Sequence, residues 1–301
     1  AIEESPNGIP LIFARDVIHG FKTIFPIPLG LAASWDAELT RKSAEIASFE
    51  ASSAGIRWTF APMLDIARDS RWGRIAESPG EDPYLASILG KAYVEGFQGD
   101  LSDPTTMAAC AKHYIAYGAA IGGRDYNTVN LSEPLLRNVY LPPFQTAIDA
   151  GAATVMSAFN EVNGVPVTGN EFLLKTVLRE ELDFDGLVVS DWDSTVEMVT
   201  HGFARDEKHA AELSATAGLD MEMTSKAYEH HLKTLVAEGQ VSEQQIDAFV
   251  KHILRTKLRL NLFENPYVPE EHTGDLYAEA HLAEAKKAAI KSTVLLKNEA
   301  I

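Results

Sequence analysis

The sequence predicts an α/β fold, and more specifically a (β/α)8 barrel. Short apolar segments alternate with longer helical ones, which is typical of a parallel sheet covered on both faces. No GxGxxG or GxxxxGK[ST] segment occurs, which counts against a doubly wound nucleotide-binding sheet. Polar side chains stand where several apolar segments end, as in barrels that collect functional groups at the carboxyl ends of different strands.

Six strand–helix units follow one another along the chain. The predicted strands are 9–16, 58–65, 107–114, 154–160, 186–191 and 219–223. The predicted helices are 36–55, 83–99, 134–151, 170–182, 208–218, 228–240 and a longer amphipathic one over 243–263. Glycines that can stop a helix in the left-handed conformation stand at Gly55, Gly99, Gly151 and Gly218. Residues with functional potential end the strands at Asp16, Asp65, Lys112, His113, Phe159, Asn160, Asp191 and Glu222.

Both ends of the sequence predict a barrel that is part of a longer protein. The chain begins almost directly on a strand, and only six or seven strands are evident. Residues 265–301 contain an exit loop, a helix over 278–292 and the apolar start of a new strand, VLLKNEAI. We therefore expect a barrel domain over 1–264, partial at its N-terminus, and a connection over 265–301 toward a second domain.

Composition excludes several classes of partner. The 301 residues carry a formal net charge of −17, which disfavours nucleic acid and anionic membrane surfaces. Cys110 is the single cysteine, so it predicts a buried apolar side chain and neither an internal disulfide nor a cysteine-based metal site. No apolar run is long enough to cross a membrane, and AIEESPNGIP is not a signal peptide, which leaves the compartment open.

Lys112 and His113 bring two donors together at the end of one predicted strand. They can grip a polar ligand, because the lysine ammonium is a point charge and the imidazole N–H is directional. An ion-paired strand end is the plainer interpretation. A lysine in this position also suits Schiff-base chemistry, as in barrel aldolases, if burial lowers its pKa.

Two polar loops suit a ligand with hydroxyl rims and apolar faces. The loop over 65–83 places Trp72 between two arginines, which offers a stacking face and planar hydrogen-bond donors for a sugar ring. A second loop, GGRDYNT over 122–128, has the same character. A solvated network of ion pairs is the alternative for both.

The segment LVVSDWDS ends an apolar strand on Asp191, which a rigid element then aims. Such a carboxylate can be a nucleophile, a general base or a metal ligand. A metal site is disfavoured because Asp191 and Asp193 flank one residue and no histidine cluster stands beside them. Retaining glycoside hydrolysis needs a second carboxyl group, which Glu197 can supply six residues later. Six further histidines show no paired ligand spacing and are expected on helix surfaces or in loops: His19, His201, His209, His230, His231 and His252.

The chain from about Ile9 to Glu264 resembles the barrel domain of family 3 glycoside hydrolases, in particular the bacterial β-glucosidases. Long segments carry the resemblance in the same order: ARDVIHG, FPIPLGLAASWD, FAPMLDIARDSRWGRIAESPGEDPYL, ACAKHYIAYG, GGRDYNT, MSAFNEVNG, GLVVSDW and LLKN. The resemblance implies that an α/β sandwich domain follows the barrel and that a first strand–helix unit precedes Ala1.

The resemblance also implies the two catalytic groups. Asp191 of the SDW motif corresponds to the family's nucleophile. Glu197 occupies the position of an acid/base residue in bacterial β-glucosidases, while in other relatives that glutamate comes from the following domain. The loop AYGAAIGGRDYNTVN contains no histidine, which counts against N-acetylglucosaminidase activity.

Further residues are implied to bind the sugar. The glycone would be held by Asp16, Arg74, Lys112 and His113. Met156 and Trp192 would line the pocket, with Trp192 stacked on the sugar. Phe159 stands where many relatives have tyrosine, so this chain lacks a hydroxyl near the nucleophile.

The resemblance therefore predicts a retaining, exo-acting β-D-glucosidase that acts on β-glucosides or oligosaccharides and releases glucose. It implies no cofactor, metal, nucleic acid or membrane partner, and a periplasmic or secreted location. A β-xylosidase of the same family and a non-catalytic or weakly active sugar-binding fragment are the alternatives, beside the less favoured aldolase.

Overall fold

Parallel strands that follow the apolar segments form the centre of the fold. The structure is a computed structural model that describes residues 2–4, 7–272 and 276–299. Its strands are β1 (Ala14–Arg15), β2 (Trp58–Thr59), β3 (Cys110–Tyr114), β4 (Thr154–Ser157), β5 (Glu161–Val162), β6 (Val165–Pro166), β7 (Leu187–Trp192) and β8 (Met221–Met223). β5 and β6 form a small antiparallel hairpin outside the central sheet.

The six central strands lie side by side in chain order. β1 pairs with β2, and β3, β4, β7 and β8 form a parallel sheet in that order. Isolated parallel bridges from Trp58 to Ala108 and from Met63 to Lys112 join the two groups. The strand register shifts between Ala111 and Tyr114 in β3, and again between Val189 and Trp192 in β7. This arrangement is that of a (β/α)8 barrel, and the predicted fold class is confirmed.

Helices connect and surround these strands. They are α1 (Pro28–Ala32), α2 (Ala37–Ser52), α3 (Pro83–Gln98), α4 (Glu133–Leu135), α5 (Pro142–Asp149), α6 (Ser194–Thr200), α7 (Glu207–Ala217), α8 (Ala227–Ala237), α9 (Glu243–Arg259) and α10 (Glu279–Lys291). Two further segments, Leu136–Tyr140 and Phe172–Glu181, are π-helical. Side chains accept the free N–H groups that begin three of the longer helices: Asp36 for α2, Asp82 for α3 and Asp206 for α7.

Several predicted bounds are wrong for identifiable reasons. The helix predicted over 134–151 is interrupted, because Pro142 has no N–H to donate and begins α5 instead. The strand predicted over 9–16 pairs only at Ala14–Arg15, where both residues are exposed and not buried. The strand expected at the end of the chain is absent over 294–299, and residues 300–301 lie outside the described residues.

An apolar cluster fills the interior of the sheet. It contains Trp58, Cys110, Met156 and Val189, and Trp58 donates through Nε1 to Thr154 Oγ1 at 2.9 Å. Cys110 is fully buried, as predicted. The polar groups described below lie on β3 and β7 beyond this cluster. The close-packed strands therefore hold them in fixed positions.

Helix α10 packs back onto the barrel. His281 Nδ1 lies 3.0 Å from Glu50 Oε1 on α2, and Lys291 Nζ lies 2.5 Å from Asp36 Oδ2. Glu50 is buried and also accepts from the backbone N–H groups of Lys22 and Thr23. Helix α10 therefore packs against α2 through these side chains.

Candidate active site

Lys112 forms an ion pair across the barrel. Its Nζ lies 2.7 Å from Asp16 Oδ1, and the lysine side chain is buried while Asp16 is 60% exposed. This carboxylate engages the Lys112 nitrogen, which Schiff-base chemistry would need free to attack a carbonyl carbon. The geometry thus gives no support to Schiff-base chemistry on Lys112. It presents instead a fixed cation beside an open carboxylate, the two kinds of group that bind hydroxyls.

His113 lies between two carboxylates. Its backbone N–H and its ring Nδ1 both contact Asp65 Oδ2, at 2.9 and 2.8 Å. Its Nε2 lies 3.3 Å from Asp191 Oδ2. Burial is the main reason why the pKa of Asp65 rises to about 7 and why the pKa of His113 falls well below its ordinary value. The charges of Lys112 and Arg74 lower the pKa of His113 further.

Asp191 stands at the end of β7 with its two carboxylate oxygens in different settings. Oδ1 accepts the backbone N–H of Trp192 at 2.7 Å. Oδ2 has no hydrogen-bond partner among the described residues, since Nε2 of His113 is close but does not have hydrogen-bond geometry. Burial raises the pKa of Asp191 to about 6, against the opposing effects of the Trp192 N–H, Lys112 and Arg74. One oxygen is therefore fixed and the other is free to react.

Ser190 anchors the backbone at this strand end. Its Oγ donates to the carbonyl oxygen of Asp191 at 2.8 Å and accepts the N–H of Met223 at 2.8 Å. The hydroxyl thereby ties β7 to β8 where their register shifts. The backbone of Asp191 is therefore fixed by the hydroxyl of Ser190 and by the pairing of β7 with β4.

Glu197 returns toward Asp191 on α6. The chain reverses at Asp193, whose φ is 59°, and the helix begins at the next residue. The pKa of Glu197 is raised by partial burial first, and then by the negative charges of Asp193 and Asp191. Its Oε2 is buried without a hydrogen-bond partner among the described residues. A carboxyl group in this setting favours the protonated form that an acid needs.

Arg74 faces the site but is already paired. Its Nε lies 2.8 Å from Glu77 Oε1, and its guanidinium stacks over Tyr117 at 5.6 Å. Its positive charge nevertheless lowers the pKa values of Asp65, His113 and Asp191. Arg74 is thus within electrostatic range of the predicted site, with Glu77 as its closest partner.

Trp72 does not offer the stacking face that its position between two arginines suggests. It is 1% exposed and donates through Nε1 to Asp125 Oδ1 at 2.9 Å. The edge of its ring packs against Tyr117 at 5.3 Å. That part of the sequence interpretation is wrong, because Trp72 fixes the loop over 122–128 from inside. Trp192 is the open indole, with 61% of its surface exposed.

Aromatic side chains pack around the imidazole of His113. Phe159 is buried and packs on Tyr126 with ring centroids 4.5 Å apart. Tyr117 lies edge-on to His113 at 5.1 Å. Met156 is buried among the interior residues of the barrel and does not face solvent. Phe159 therefore packs beside His113, and Met156 belongs to the apolar interior next to the site.

Sequence reasoning singled out Asp65 only as a strand-end residue and did not single out Tyr126. Asp65 directly ends an apolar segment, the same signal that marked Asp191. Tyr126 belongs to the polar loop GGRDYNT, but only the structure shows its contact with Phe159. The structure brings Asp16, Lys112, His113 and Asp191 together at one end of the sheet, with Arg74 and Glu197 in electrostatic range.

A parallel barrel that brings two carboxyl groups and fixed donors together at the carboxyl ends of its strands has the arrangement that barrel glycoside hydrolases use. Residues 1–256 match the glycosyl hydrolase family 3 N-terminal domain, and the chain belongs to this family.

The chain is 42% identical over 297 residues to a periplasmic beta-glucosidase of Salmonella typhimurium, covering 96% of this chain and 39% of that protein. It is 35% identical to a beta-xylosidase of Formosa agariphila, covering 97% of this chain and 44% of the relative. A crystal structure of a beta-glucosidase from Listeria innocua in complex with glucose superposes with a TM-score of 0.97 at 49% identity, over 99% of this chain and 42% of that one. The chain thus spans about two fifths of the length of these relatives. No helix within the described residues combines the length and apolarity needed to cross a membrane.

Proposed function

We propose that the protein is a retaining, exo-acting β-D-glucosidase that hydrolyses terminal β-glucosyl residues through a covalent glycosyl-enzyme on Asp191. The observation that carries this proposal is the asymmetry of the Asp191 carboxylate. Oδ1 is held by the Trp192 N–H while the buried Oδ2 has no hydrogen-bond partner among the described residues. An oxygen that is positioned but not engaged is the form in which a carboxylate attacks an anomeric carbon.

The reaction has two steps. Oδ2 of Asp191 attacks the anomeric carbon while an acid protonates the glycosidic oxygen, so the C–O bond to the leaving group breaks as the ester bond forms. The acid, then a carboxylate, takes a proton from water, which attacks the same carbon and releases glucose and free Asp191. We propose Glu197 as this group, because its pKa is raised and Asp191 is one cause. A glutamate supplied by a segment beyond residue 301 is the alternative.

The surrounding residues would hold the sugar. Asp16 can accept hydrogen bonds from two hydroxyls, and Lys112 Nζ lies 2.7 Å from its Oδ1. The exposed indole of Trp192 would cover an apolar sugar face. His113 would contact both the glycone and Asp191, with Arg74 adding positive charge; Met156 and Phe159 would shape the pocket from behind. These contacts accelerate the reaction if they strengthen as the ring flattens in the transition state.

Two related functions remain as alternatives. A β-xylosidase is favoured by the relative from Formosa agariphila and would differ in the group at sugar carbon 5. A sugar-binding barrel without turnover is favoured by the coverage of about two fifths of each relative. We further propose that residues 1–264 form the barrel domain, that 265–301 lead toward an α/β sandwich domain, and that the protein is periplasmic or secreted like the Salmonella typhimurium relative.

Trapping with a 2-fluoro-β-glucoside tests the proposal directly. The fluorine slows the second step, so the glycosyl group should accumulate on the peptide that contains Asp191, as read by mass spectrometry. A label on another residue would overturn the assignment. An aryl-glycoside panel with gluco-, xylo- and N-acetylglucosamine substrates then separates glucosidase from xylosidase. Measurable glucose binding without hydrolysis of any of them would favour the non-catalytic alternative.

A further inference from the structure

We propose that Glu207, His230 and His231 form a binding site for a divalent transition-metal ion such as Zn²⁺. His230 Nδ1 lies 2.8 Å from Glu207 Oε1, and His231 Nε2 lies 3.6 Å from the same oxygen. One ligand atom from each of the three residues lies within 4.8 Å of the other two. Ligands around tetrahedral zinc are about 3.3–3.5 Å apart, given bonds of about 2.0–2.2 Å, so small side-chain rotations would complete the site.

Two helices assemble this site. Glu207 is the first residue of α7, and His230 and His231 lie in the first turns of α8. Adjacent helical residues point about 100° apart, so their side chains diverge. Both rings nevertheless reach Glu207, because His230 approaches its Oε1 with Nδ1 and His231 approaches it with Nε2. The planes of the two rings are at 85° to each other. Adjacent histidines can therefore converge on one point beside a carboxylate from the other helix.

The chemistry of this ligand set favours a particular class of ion. Two imidazoles and one carboxylate suit zinc, copper or nickel, whereas calcium and magnesium prefer oxygen ligands alone. Among the described residues, Glu207 has hydrogen-bond and ion-pair contacts only with these two histidines, so no lysine or arginine occupies its carboxylate. The neighbouring Lys208 is engaged by Glu238 at 2.6 Å.

The site is open to solvent and separate from the proposed catalytic groups. The exposed side-chain fractions are 51% for His230, 29% for His231 and 41% for Glu207. Three protein ligands at an open position leave room for water or for a fourth ligand. Since α7 and α8 begin after β7 and β8, the site lies at the rim of the same end of the barrel as Asp191. His230 and His231 show no ligand spacing in the sequence, since the third ligand, Glu207, lies on another helix.

Calorimetric titration of the untagged protein with ZnCl₂ tests the proposal. We expect one ion per chain with micromolar affinity, and a loss of at least tenfold in affinity in H230Q/H231Q and in E207Q. The matched control is Glu229→Gln, since Glu229 is an exposed carboxylate in the same turn whose ion-pair contact is Lys226 at 3.8 Å. It should bind zinc like the parent protein, and CaCl₂ should give no saturable heat with any variant.

Cobalt provides a second readout that does not depend on hydrolysis. Co²⁺ bound by two imidazoles and a carboxylate in a tetrahedral site absorbs strongly in the visible range, and this absorption should disappear in H230Q/H231Q. Circular dichroism should show that the variants remain folded. The proposal is overturned if the parent protein binds zinc no more tightly than H230Q/H231Q, or if E229Q weakens binding as much as E207Q does.

Discussion

Asp65 holds His113 through a single carboxylate oxygen, Oδ2, which accepts the backbone N–H of that residue at 2.9 Å and contacts its ring Nδ1 at 2.8 Å. Because these two contacts fix the imidazole ring, the orientation of Nε2 toward Asp191 is set by a residue that does not itself contact Asp191. The arrangement resembles the way in which buried carboxylates orient catalytic histidines in other enzymes.

Replacing Asp65 by Asn should therefore impair catalysis without removing any group from the pocket. We expect kcat for an aryl β-glucoside to fall by about 10²-fold, since misplacing a reacting group by about 1 Å has effects of this size. The pKa of Asp65 is raised to about 7, so protonation of this carboxyl should contribute to the acidic limb of the rate profile. That limb should shift in D65N. An unchanged pH profile with a uniformly lower rate would instead indicate a purely structural role.

Asp191→Asn should abolish turnover while stabilising the fold at alkaline pH. Burial raises the pKa of Asp191 from 3.8 to about 6, so its contribution to stability is complete below pH 3.8 and is lost as the pH rises through 6. The neutral amide avoids this loss. At pH 8 we expect the free energy of unfolding of D191N to exceed that of the parent by roughly 2 kcal/mol, with kcat lower by about 10⁴-fold or more.

Scanning calorimetry at pH 5 and pH 8 measures this effect. The stability difference between D191N and the parent should be larger at pH 8. A difference that grows toward acidic pH would contradict the stated sign. Asp193→Asn is the neighbouring control, since the side chain of Asp193 does not cap α6. It should still turn over substrate, with a changed pH profile because the charge of Asp193 helps to raise the pKa of Glu197.

Glu197→Gln distinguishes the two sources of the proton donor. If Glu197 is the acid/base, hydrolysis of substrates with poor leaving groups should fall by about 10²–10⁴-fold. Substrates with a dinitrophenyl leaving group, which needs no protonation, should be affected much less in the first step. Added azide should restore turnover and yield the β-glucosyl azide. Parent-like rates for all substrates would exclude Glu197 as the proton donor.

Trp192→Ala should weaken substrate binding more than it slows the reaction. The indole is 61% exposed, so its removal costs little packing energy. Loss of an aromatic platform should raise KM by about tenfold with a smaller change in kcat. Trp192→Phe should recover part of the affinity because it keeps an apolar face. Equal KM values in all three proteins would show that this side chain does not contact the sugar.

Gly118→Ala should destabilise the loop behind Asp65. A Cβ at this position would lie 2.6 Å from the carbonyl oxygen of Ile66 and 3.1 Å from the Trp72 ring, so the backbone would have to move. We expect a loss of about 1–3 kcal/mol in the free energy of unfolding, measured by urea denaturation. Gly73→Ala is the control, because a Cβ there meets nothing within 4 Å. Equal stability of the two variants would contradict the argument.

Strand ends were predictable from sequence where an apolar run meets a polar residue without interruption. MAACAKHY and GLVVSD have this pattern, and both end in the site. Trp72 was assigned incorrectly, because its partner Asp125 lies 53 residues away and nothing local shows that the indole N–H is satisfied. Asp65 was noticed but not assigned a role for a similar reason, since its contact with His113 joins two strands. Long-range pairing decides these residues, and local pattern does not reveal it.

The interruption of strand pairing in β3 lets two consecutive residues of one strand reach the same pocket. In a regular pleat, consecutive side chains point to opposite faces, so a strand delivers one residue in two to any given surface. The register shift between Ala111 and Tyr114 breaks this alternation at Lys112 and His113. Both residues then serve one pocket, the first toward Asp16 and the second toward Asp191. The irregular strand thereby places a cation and an imidazole side by side where regular β-structure would have separated them.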